Sequence, residues 1–113
     1  MSDESIELPL TPTVFFTLLA LADGPKHGYA IMKVAITLSE KRVKMGPGAL
    51  YTTVQRLVDA RLIEEIKGEA DEDARRRFYK LTSAGRGLLE REMQRLESLV
   101  VTARGLMPRK AGH

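Results

Sequence analysis

The chain has 113 residues, of which 43% are hydrophobic and 29% are charged, with no cysteine and a formal net charge of +3. This length and composition predict one globular domain with a modest core, and the lack of cysteine excludes disulfides and thiolate metal sites and fits a reducing cytoplasm. No apolar run approaches a membrane span and residues 1–4 are acidic where a signal peptide would be basic, so we expect a cytoplasmic protein without a membrane partner.

The N-terminal region predicts an arm followed by an apolar helix. Residues 1–10 are expected to form a flexible arm, and Thr11 and Pro12 then predict a helix start, with Thr11 as the cap. The sequence Asp23-Gly24-Pro25 ends this helix, because glycine after the end and proline beyond it are typical stop signals. Residues 13–22 carry no charge. A helix this apolar must be covered on most sides, and a partner subunit is a natural source of that cover.

A second helix is predicted from His27-Gly28-Tyr29 to about Glu40. The spacing of its apolar residues directs four side chains inward, namely Ile31, Met32, Ala35 and Leu38. Tyr29 is expected to be a core residue with its hydroxyl bonded at the surface. The only other histidine is His113, so His27 cannot belong to a histidine-rich metal site, and no metal or other cofactor is expected.

A third helix is predicted to begin at Pro47, which suits a first turn because its missing N–H has no intrahelical partner there. One face is apolar through Leu50, Val54, Leu57 and Val58, and the opposite face is polar. A polar face is often merely solvated, but threonine, glutamine and arginine side chains can also bind base edges and phosphates. The candidate DNA-binding residues in and before this helix are Lys44, Tyr51, Thr52, Thr53, Gln55 and Arg56.

A β-hairpin follows, with alternating residues Ile63 and Glu65 on one arm and Tyr79 and Leu81 on the other. The loop between them, residues 68–73, contains four acidic residues. The second arm is basic, and its candidate DNA-binding residues are Arg75, Arg76 and Arg77. The alternative is that the acidic loop neutralises these arginines. Helix, turn, helix and hairpin together predict a winged helix-turn-helix over residues 11–81.

The last helix is predicted over residues 82–107, capped by Thr82, and residues 108–113 are expected to be a disordered tail. Apolar residues four and three apart form a heptad seam, and a helix of roughly 23 residues, about 35 Å long, exceeds what the small domain can cover. We therefore expect a twofold dimer on a pseudo-palindromic site with half-sites about 34 Å apart. The predicted dimer interface comprises Phe15, Leu18, Leu19, Leu89, Met93, Leu96, Val100 and Ala103.

Three blocks of the sequence carry a resemblance to a known family. They are His27-Gly28-Tyr29-Ala30-Ile31, then Gly48-Ala49-Leu50-Tyr51 with Arg56-Leu57, then residues 76–82 with Gly85. In this order they resemble the PadR family of bacterial transcriptional regulators, in its short form with a single C-terminal helix. The resemblance implies a winged helix, a C-terminal dimerisation helix and repression that a small molecule relieves. Arg61 departs from the family pattern, which usually has glycine there.

Three classes of function were weighed. An enzyme is disfavoured, because the sequence has no cysteine, no catalytic carboxylate pair with a histidine and no phosphate-cradling glycine loop. A winged helix that only contacts proteins is the alternative to a dimeric DNA-binding repressor, which we favour. If an apolar effector binds, Phe15, Phe16, Met93 and Leu96 could line its cavity, although residues such as Met93 and Leu96 are more often simple interface core.

Overall fold

A computed structural model of the protein describes residues 6–67 and 77–108. In the described residues the elements follow in the order α1 (Pro12–Ala20), β1 (Lys26–His27), α2 (Gly28–Leu38), α3 (Pro47–Asp59), β2 (Ile63–Lys67), β3 (Arg77–Leu81) and α4 (Ser83–Leu106). The strands form an antiparallel sheet in the order β1-β3-β2. The predicted fold class, mainly α with a small β-hairpin, is confirmed.

Side-chain caps fix three helix starts. Thr11 accepts a hydrogen bond from the Val14 amide, and Thr82 accepts one from the Gly85 amide. The His27 side chain does the same for α2 through Nδ1. Each of these bonds satisfies one amide that the first helical turn leaves without an intrahelical partner.

The predicted hairpin is present, and the structure gives its register. Ile63 is opposite Leu81 and Glu65 is opposite Tyr79. The sequence did not predict β1, whose residues Lys26 and His27 pair with the other edge of β3. A strand of two residues is too short to show an alternation of apolar and polar side chains.

The core corrects the expectation of a flexible arm over residues 1–10. Leu10 is buried, and Ile6 and Leu8 pack against the core cluster. Three apolar side chains at alternate positions therefore cover the domain. The hydrophobic free energy of their burial outweighs the conformational entropy that a flexible arm would keep. Residues 1–5 lie outside the described residues.

Two predictions within α2 are wrong. Ile31 and Ala35 are fully buried, but Tyr29 is 58% exposed and Leu38 is 45% exposed. The Tyr29 ring lies on the surface with the Lys33 ammonium 5.4 Å from its centroid, in reach of a cation–π contact. The spacing of apolar residues gave too wide a buried face for this helix.

The junction between β2 and α4 sets the direction in which α4 leaves the domain. A Cβ added at Gly85 would lie 1.9 Å from the Leu62 carbonyl oxygen, so only glycine allows this approach. Thr82 Oγ1 donates to the Arg61 carbonyl oxygen over 2.7 Å, and the Thr82 amide donates to the Leu62 carbonyl oxygen over 3.1 Å. Arg61 has φ +63°, a left-handed conformation that favours glycine.

Only the first part of α4 packs within its own domain. Leu88, Leu89 and Glu92 are buried, whereas nearly every residue from 93 to 108 is exposed. We call residues 93–106 the distal segment, and it is about 21 Å long. The molecule extends 63 Å along its longest axis, and its radius of gyration of 16.8 Å exceeds the roughly 13 Å of a compact chain this long. None of the described helices is both long and apolar enough to cross a membrane.

Candidate nucleic-acid interface

Helix α3 has one buried and one exposed face. Its exposed face, which we call the α3 face, comprises Gly48, Ala49, Tyr51, Thr52, Gln55, Arg56 and Asp59. Its buried residues are Leu50, Thr53, Val54 and Leu57. The inclusion of Thr53 among the candidate DNA-binding residues is therefore corrected. Thr53 is only 8% exposed, because it falls on the same side of the helix as Leu50, Val54 and Leu57.

The start of α3 is open to solvent. Its cap is Gly46, which offers no side-chain acceptor to the first-turn amides. A Cβ added at Gly46 or Gly48 would meet no heavy atom within 4 Å, and both residues are exposed. The helix therefore presents free backbone amides and its positive dipole end to whatever approaches this face.

The turn between α2 and α3 fixes the orientation of α3, and it depends on Ser39, which sequence reasoning missed. Ser39 is 4% exposed, and its Oγ donates to the Ile36 carbonyl and accepts from the Val43 amide, each over 3.0 Å. Glu40 and Lys41 both have positive φ, +55° and +67°. Ser39 holds together a turn with two residues in a disfavoured conformation.

Exposed cations follow this turn. Lys41, Arg42 and Lys44 are all exposed. Arg42 Nη1 lies 2.7 Å from Glu40 Oε1, but both side chains are 78% exposed. Such a pair contributes at most about 1 kcal/mol, so Arg42 can exchange Glu40 for another anion at little cost. Within the part of the chain described, Lys44 has no ion-pair partner.

The sheet brings two further cations to the surface on β3. Arg77 Nε lies 3.7 Å from Glu65 Oε2, and Lys80 Nζ lies 3.5 Å from Glu64. These cross-strand pairs are long and largely exposed, so they too are weak. The candidates Arg75 and Arg76 and the acidic loop lie outside the described residues.

Tyr51 connects the α3 face to the start of α2. Gly28 is buried, and a Cβ there would lie 3.2 Å from Tyr51 Oη. The tyrosine ring therefore lies over Gly28 while 54% of the side chain remains exposed. This packing fixes the ring as one wall of a shallow cleft of about 430 Å³. The cleft follows α3 along Tyr51, Thr52, Gln55, Arg56 and Asp59.

Comparison with known proteins identifies the family. The family model described as "Transcriptional regulator PadR-like family" matches residues 17–91. This chain belongs to the PadR-like family of transcriptional regulators. The resemblance that the three sequence blocks carry is confirmed.

Individual proteins share sequence or fold with this chain. The chain is 44% identical over 82 residues to an uncharacterized 37.1 kDa protein of transposon TN4556 from Streptomyces fradiae, and the match covers 73% of this chain but only 22% of that protein. A PadR-like transcriptional regulator from Bacillus cereus has the same fold, with TM-score 0.71 and 19% identity, over 87% of this chain and 93% of that one. Bordetella bronchiseptica BpsR, whose DNA binding is regulated by 6-hydroxynicotinic acid, aligns with TM-score 0.65 and 21% identity over 93% of this chain and 73% of BpsR.

The predicted dimer interface of this PadR-like chain divides into two groups. Leu18 is fully buried and Leu89 is 3% exposed within the protomer, so both belong to its own core and their assignment to the interface is corrected. Phe15 and Leu19 are half-buried. The remaining predicted residues, Met93, Leu96, Val100 and Ala103, are all exposed on the distal segment of α4.

Two of the predicted effector residues, Phe16 and Met93, line different clefts of the PadR-like protomer. Phe15 and Phe16 pack edge to face, with ring centroids 5.2 Å apart. Phe16 lines a cleft of about 380 Å³ with Leu38 and the α2–α3 turn. Met93 lines another depression, along the outer side of α4. A cavity shared by Phe16 and Met93 would therefore need residues from a second subunit.

Glu92 is a buried acid that sequence reasoning missed. It is 2% exposed and accepts two hydrogen bonds from Arg95, at 2.6 and 3.0 Å, and one from the Leu10 amide at 3.0 Å. The Arg95 hydrogen bond is the main cause that lowers the pKa of Glu92, and the Leu10 amide acts in the same direction against the effect of burial. Glu92 thus fastens the N-terminal segment to α4 at the start of the distal segment.

Proposed function

We propose that this PadR-like regulator binds double-stranded DNA sequence-specifically as a homodimer and acts as a repressor that a small molecule releases. The observation that carries the proposal is the α3 face, a solvent-exposed polar surface with cations on both sides. Its chemistry suits a helix in the major groove, where hydrogen-bonding side chains meet base edges and cations meet phosphates. Binding to DNA implies a cytoplasmic location.

Each proposed contact follows from the exposed chemistry. Tyr51, Thr52, Gln55 and Arg56 face the bases or the adjacent phosphates. The uncapped start of α3 and Lys44 receive a phosphate, because free backbone amides and a helix dipole attract anions. The open space at Gly48 lets the DNA backbone come close. Arg77 on β3 contacts the phosphates beside the groove, and we include Arg75 and Arg76 with it.

The distal segment of α4 supports the homodimer. Its exposed apolar residues include Leu99 and Val100, at 51% and 50% exposure, besides Met93 and Leu96 at 44% and 37%. Such a continuous apolar surface is unfavourable in water and marks an interface. Pairing with a second copy buries it along the heptad seam. A twofold dimer then presents two α3 faces to a pseudo-palindromic operator.

Release by an effector follows from the same arrangement. An apolar ligand between Phe15 and Phe16 of one subunit and Met93 and Leu96 of the other would change the angle between subunits, and with it the separation of the two α3 helices. A coupling of about 1–3 kcal/mol suffices to shift DNA occupancy. BpsR, which shares the fold, is a precedent for regulation of DNA binding by a small aromatic acid.

The proposal is tested by fluorescence anisotropy of a labelled duplex from the DNA upstream of the gene, titrated at several salt concentrations with scrambled competitor. We expect tight, competitor-resistant binding whose affinity falls steeply with salt. Arg56→Glu should weaken binding by about 1–3 kcal/mol and leave the dimer intact. The matched control is Arg91→Glu, a charge reversal at an exposed position on α4, which should bind like the wild type.

If the scrambled competitor displaces the labelled duplex at every salt concentration, the protein does not bind this DNA sequence-specifically. A genome-wide footprint then separates the remaining possibilities. Discrete occupied sites elsewhere would indicate a distant operator. No occupied sites, together with stable association to another protein, would favour the alternative of a winged helix that contacts only proteins.

A further inference from the structure

The α3 face carries a hydrogen bond between two of its own exposed side chains. Gln55 Nε2 donates to Asp59 Oδ1 over 2.9 Å. Residues four apart are neighbours on one face of a helix, and Gly48, Thr52, Gln55 and Asp59 follow one another at spacings of four, three and four. Gln55 therefore lies within the central stripe of the surface that the proposed function puts in the major groove.

The chemistry of this pair determines which way the Gln55 amide points. An ionised carboxylate only accepts hydrogen bonds, so the amide nitrogen and not its oxygen must face Asp59. One of the two amide N–H groups is thereby occupied. The carbonyl oxygen and the second N–H remain free, which leaves one acceptor and one donor side by side for a partner outside the protein.

This pairing of one acceptor with one donor matches adenine. In the major groove adenine presents the N6 amino donor beside the N7 acceptor, whereas guanine presents two acceptors, O6 and N7. An unrestrained glutamine could turn both N–H groups towards guanine. With one N–H held by Asp59, Gln55 cannot supply two donors, and its carbonyl oxygen would oppose guanine O6.

We propose that Gln55 reads one adenine in each half-site and that Asp59 is the positioning residue that makes it prefer adenine over guanine. The inference rests on the proposed function, because it needs α3 in the major groove. Asp59 also has a cost, since its negative charge near the phosphates lowers affinity for any DNA. Asp59 thus increases selectivity at the expense of overall affinity.

The experiment is selection from a library of duplexes with a randomised core, using the full chain, followed by competition between selected duplexes that differ only by adenine or guanine at one position. The wild type should select a motif with an adenine that Gln55→Ala loses. The adenine preference should be roughly 5-fold to 100-fold, as for other bidentate contacts. Asp59→Asn should reduce the adenine preference to a few-fold. The new amide can donate to Gln55 as well as accept from it, so it no longer determines which way the Gln55 amide points.

Two further variants separate positioning from charge. Asp59→Glu restores an acceptor four residues away and should recover the adenine preference. Glu64→Gln removes the same charge from an exposed residue of β2, and it should leave the preference unchanged.

An adenine preference in Asp59→Asn as strong as in the wild type would overturn the role of Asp59, and an unchanged motif in Gln55→Ala would overturn that of Gln55. A wild-type selection that yields no motif would contradict the proposed function itself. A motif without the Gln55-dependent adenine would contradict this inference and leave the proposed function in place.

Discussion

The two halves of α4 have the same spacing of apolar side chains but opposite surroundings. Leu89, in the first half, is 3% exposed, whereas Leu96 and Val100, one and then about one and a half heptads further along, are 37% and 50% exposed. The heptad seam continues through both halves, but the domain covers only the first. The spacing of apolar residues therefore indicates which side of the helix is buried and not which chain buries it.

The boundary between the two halves lies at Glu92. Up to this residue, α4 packs on the domain and receives the N-terminal segment through the Leu10 amide. Beyond it, the described structure offers the helix almost no cover. If the account is right, substitutions before Glu92 lower the stability of the protomer, and substitutions beyond it affect assembly.

The largest effect is expected at Gly85, where α4 touches Leu62, the residue before β2. Gly85→Ala places a Cβ about 1.9 Å from the Leu62 carbonyl oxygen, so the backbone must shift, and we expect a loss of more than about 4 kcal/mol in the free energy of unfolding. Urea denaturation followed by circular dichroism measures it.

Gly87→Ala is the matched control, because the new Cβ would meet only the end of Arg91 at 3.5 Å. This variant should gain about 0.5–1 kcal/mol from helix propensity. Equal stability of the two variants would mean that α4 does not leave the domain as described.

Substitutions at two leucines, one in each half of α4, test the difference between the halves most directly. Leu89→Ala should lower the free energy of unfolding by about 3 kcal/mol without preventing dimerisation. Leu96→Glu should instead give folded monomers that bind DNA poorly, because the charge enters the subunit interface and leaves the protomer core intact. Light scattering gives the mass and circular dichroism the fold. A folded Leu96→Glu monomer that binds DNA like the wild type would contradict the dimer model, and a Leu96→Glu dimer would contradict the placement of Leu96 in the interface.

The contribution of Glu92, at the boundary between the two halves, to protomer stability should depend on pH. The Glu92 pKa is lowered below its ordinary value of about 4.5, so the carboxylate stabilises the fold above the unfolded pKa and this contribution disappears as pH falls through the folded pKa. As the pH drops below about 4.5 and through the lowered pKa of Glu92, the free energy of unfolding should therefore fall by more in the wild type than in Glu92→Gln. Glu97→Gln, an exposed acid of the distal segment, should follow the wild type. Parallel profiles for the wild type and Glu92→Gln would contradict the role of Glu92.

The smallest effect is expected at Arg61, on the domain side of the junction. Its φ of +63° favours glycine, so Arg61→Gly should stabilise the protein by up to about 1 kcal/mol after the entropy of glycine is counted. Lys33→Gly, in the regular helix α2, should instead cost about 1 kcal/mol or more, because it lowers helix propensity and also removes the contact of Lys33 with the Tyr29 ring. Thermal denaturation of both variants checks the opposite signs, and a clear loss at Arg61 would contradict the left-handed conformation.

Local signals predicted much of the fold. Thr11 and Pro12 mark the start of α1, and alternation predicted Ile63 and Leu81 on the two arms of one hairpin. These features depend on neighbours in sequence. The errors concern residues whose environment depends on tertiary packing. Leu10 is apolar but belongs to no regular element, so nothing in its surroundings predicted its burial.

The candidate site was less predictable for the same reason. Helical periodicity identified Gln55 and Arg56 as exposed. The same spacing places Thr53 on the buried side, so its inclusion among the candidates rested on its residue type and not on its position. It also gave no sign of Glu92, because glutamate is rarely buried and its partner amide, Leu10, is 82 residues away in sequence. Hydrogen bonds between distant parts of the chain leave no periodic signal.

The most direct test of the account is the number of chains bound to one operator duplex, measured by sedimentation equilibrium of the labelled complex with scrambled competitor present. The account predicts two chains per duplex, bound together over the whole titration, with the wild type, and no such complex with Leu96→Glu. A stable complex that contains a single chain, or a number of chains that simply grows with duplex length, would contradict a twofold dimer on a specific site.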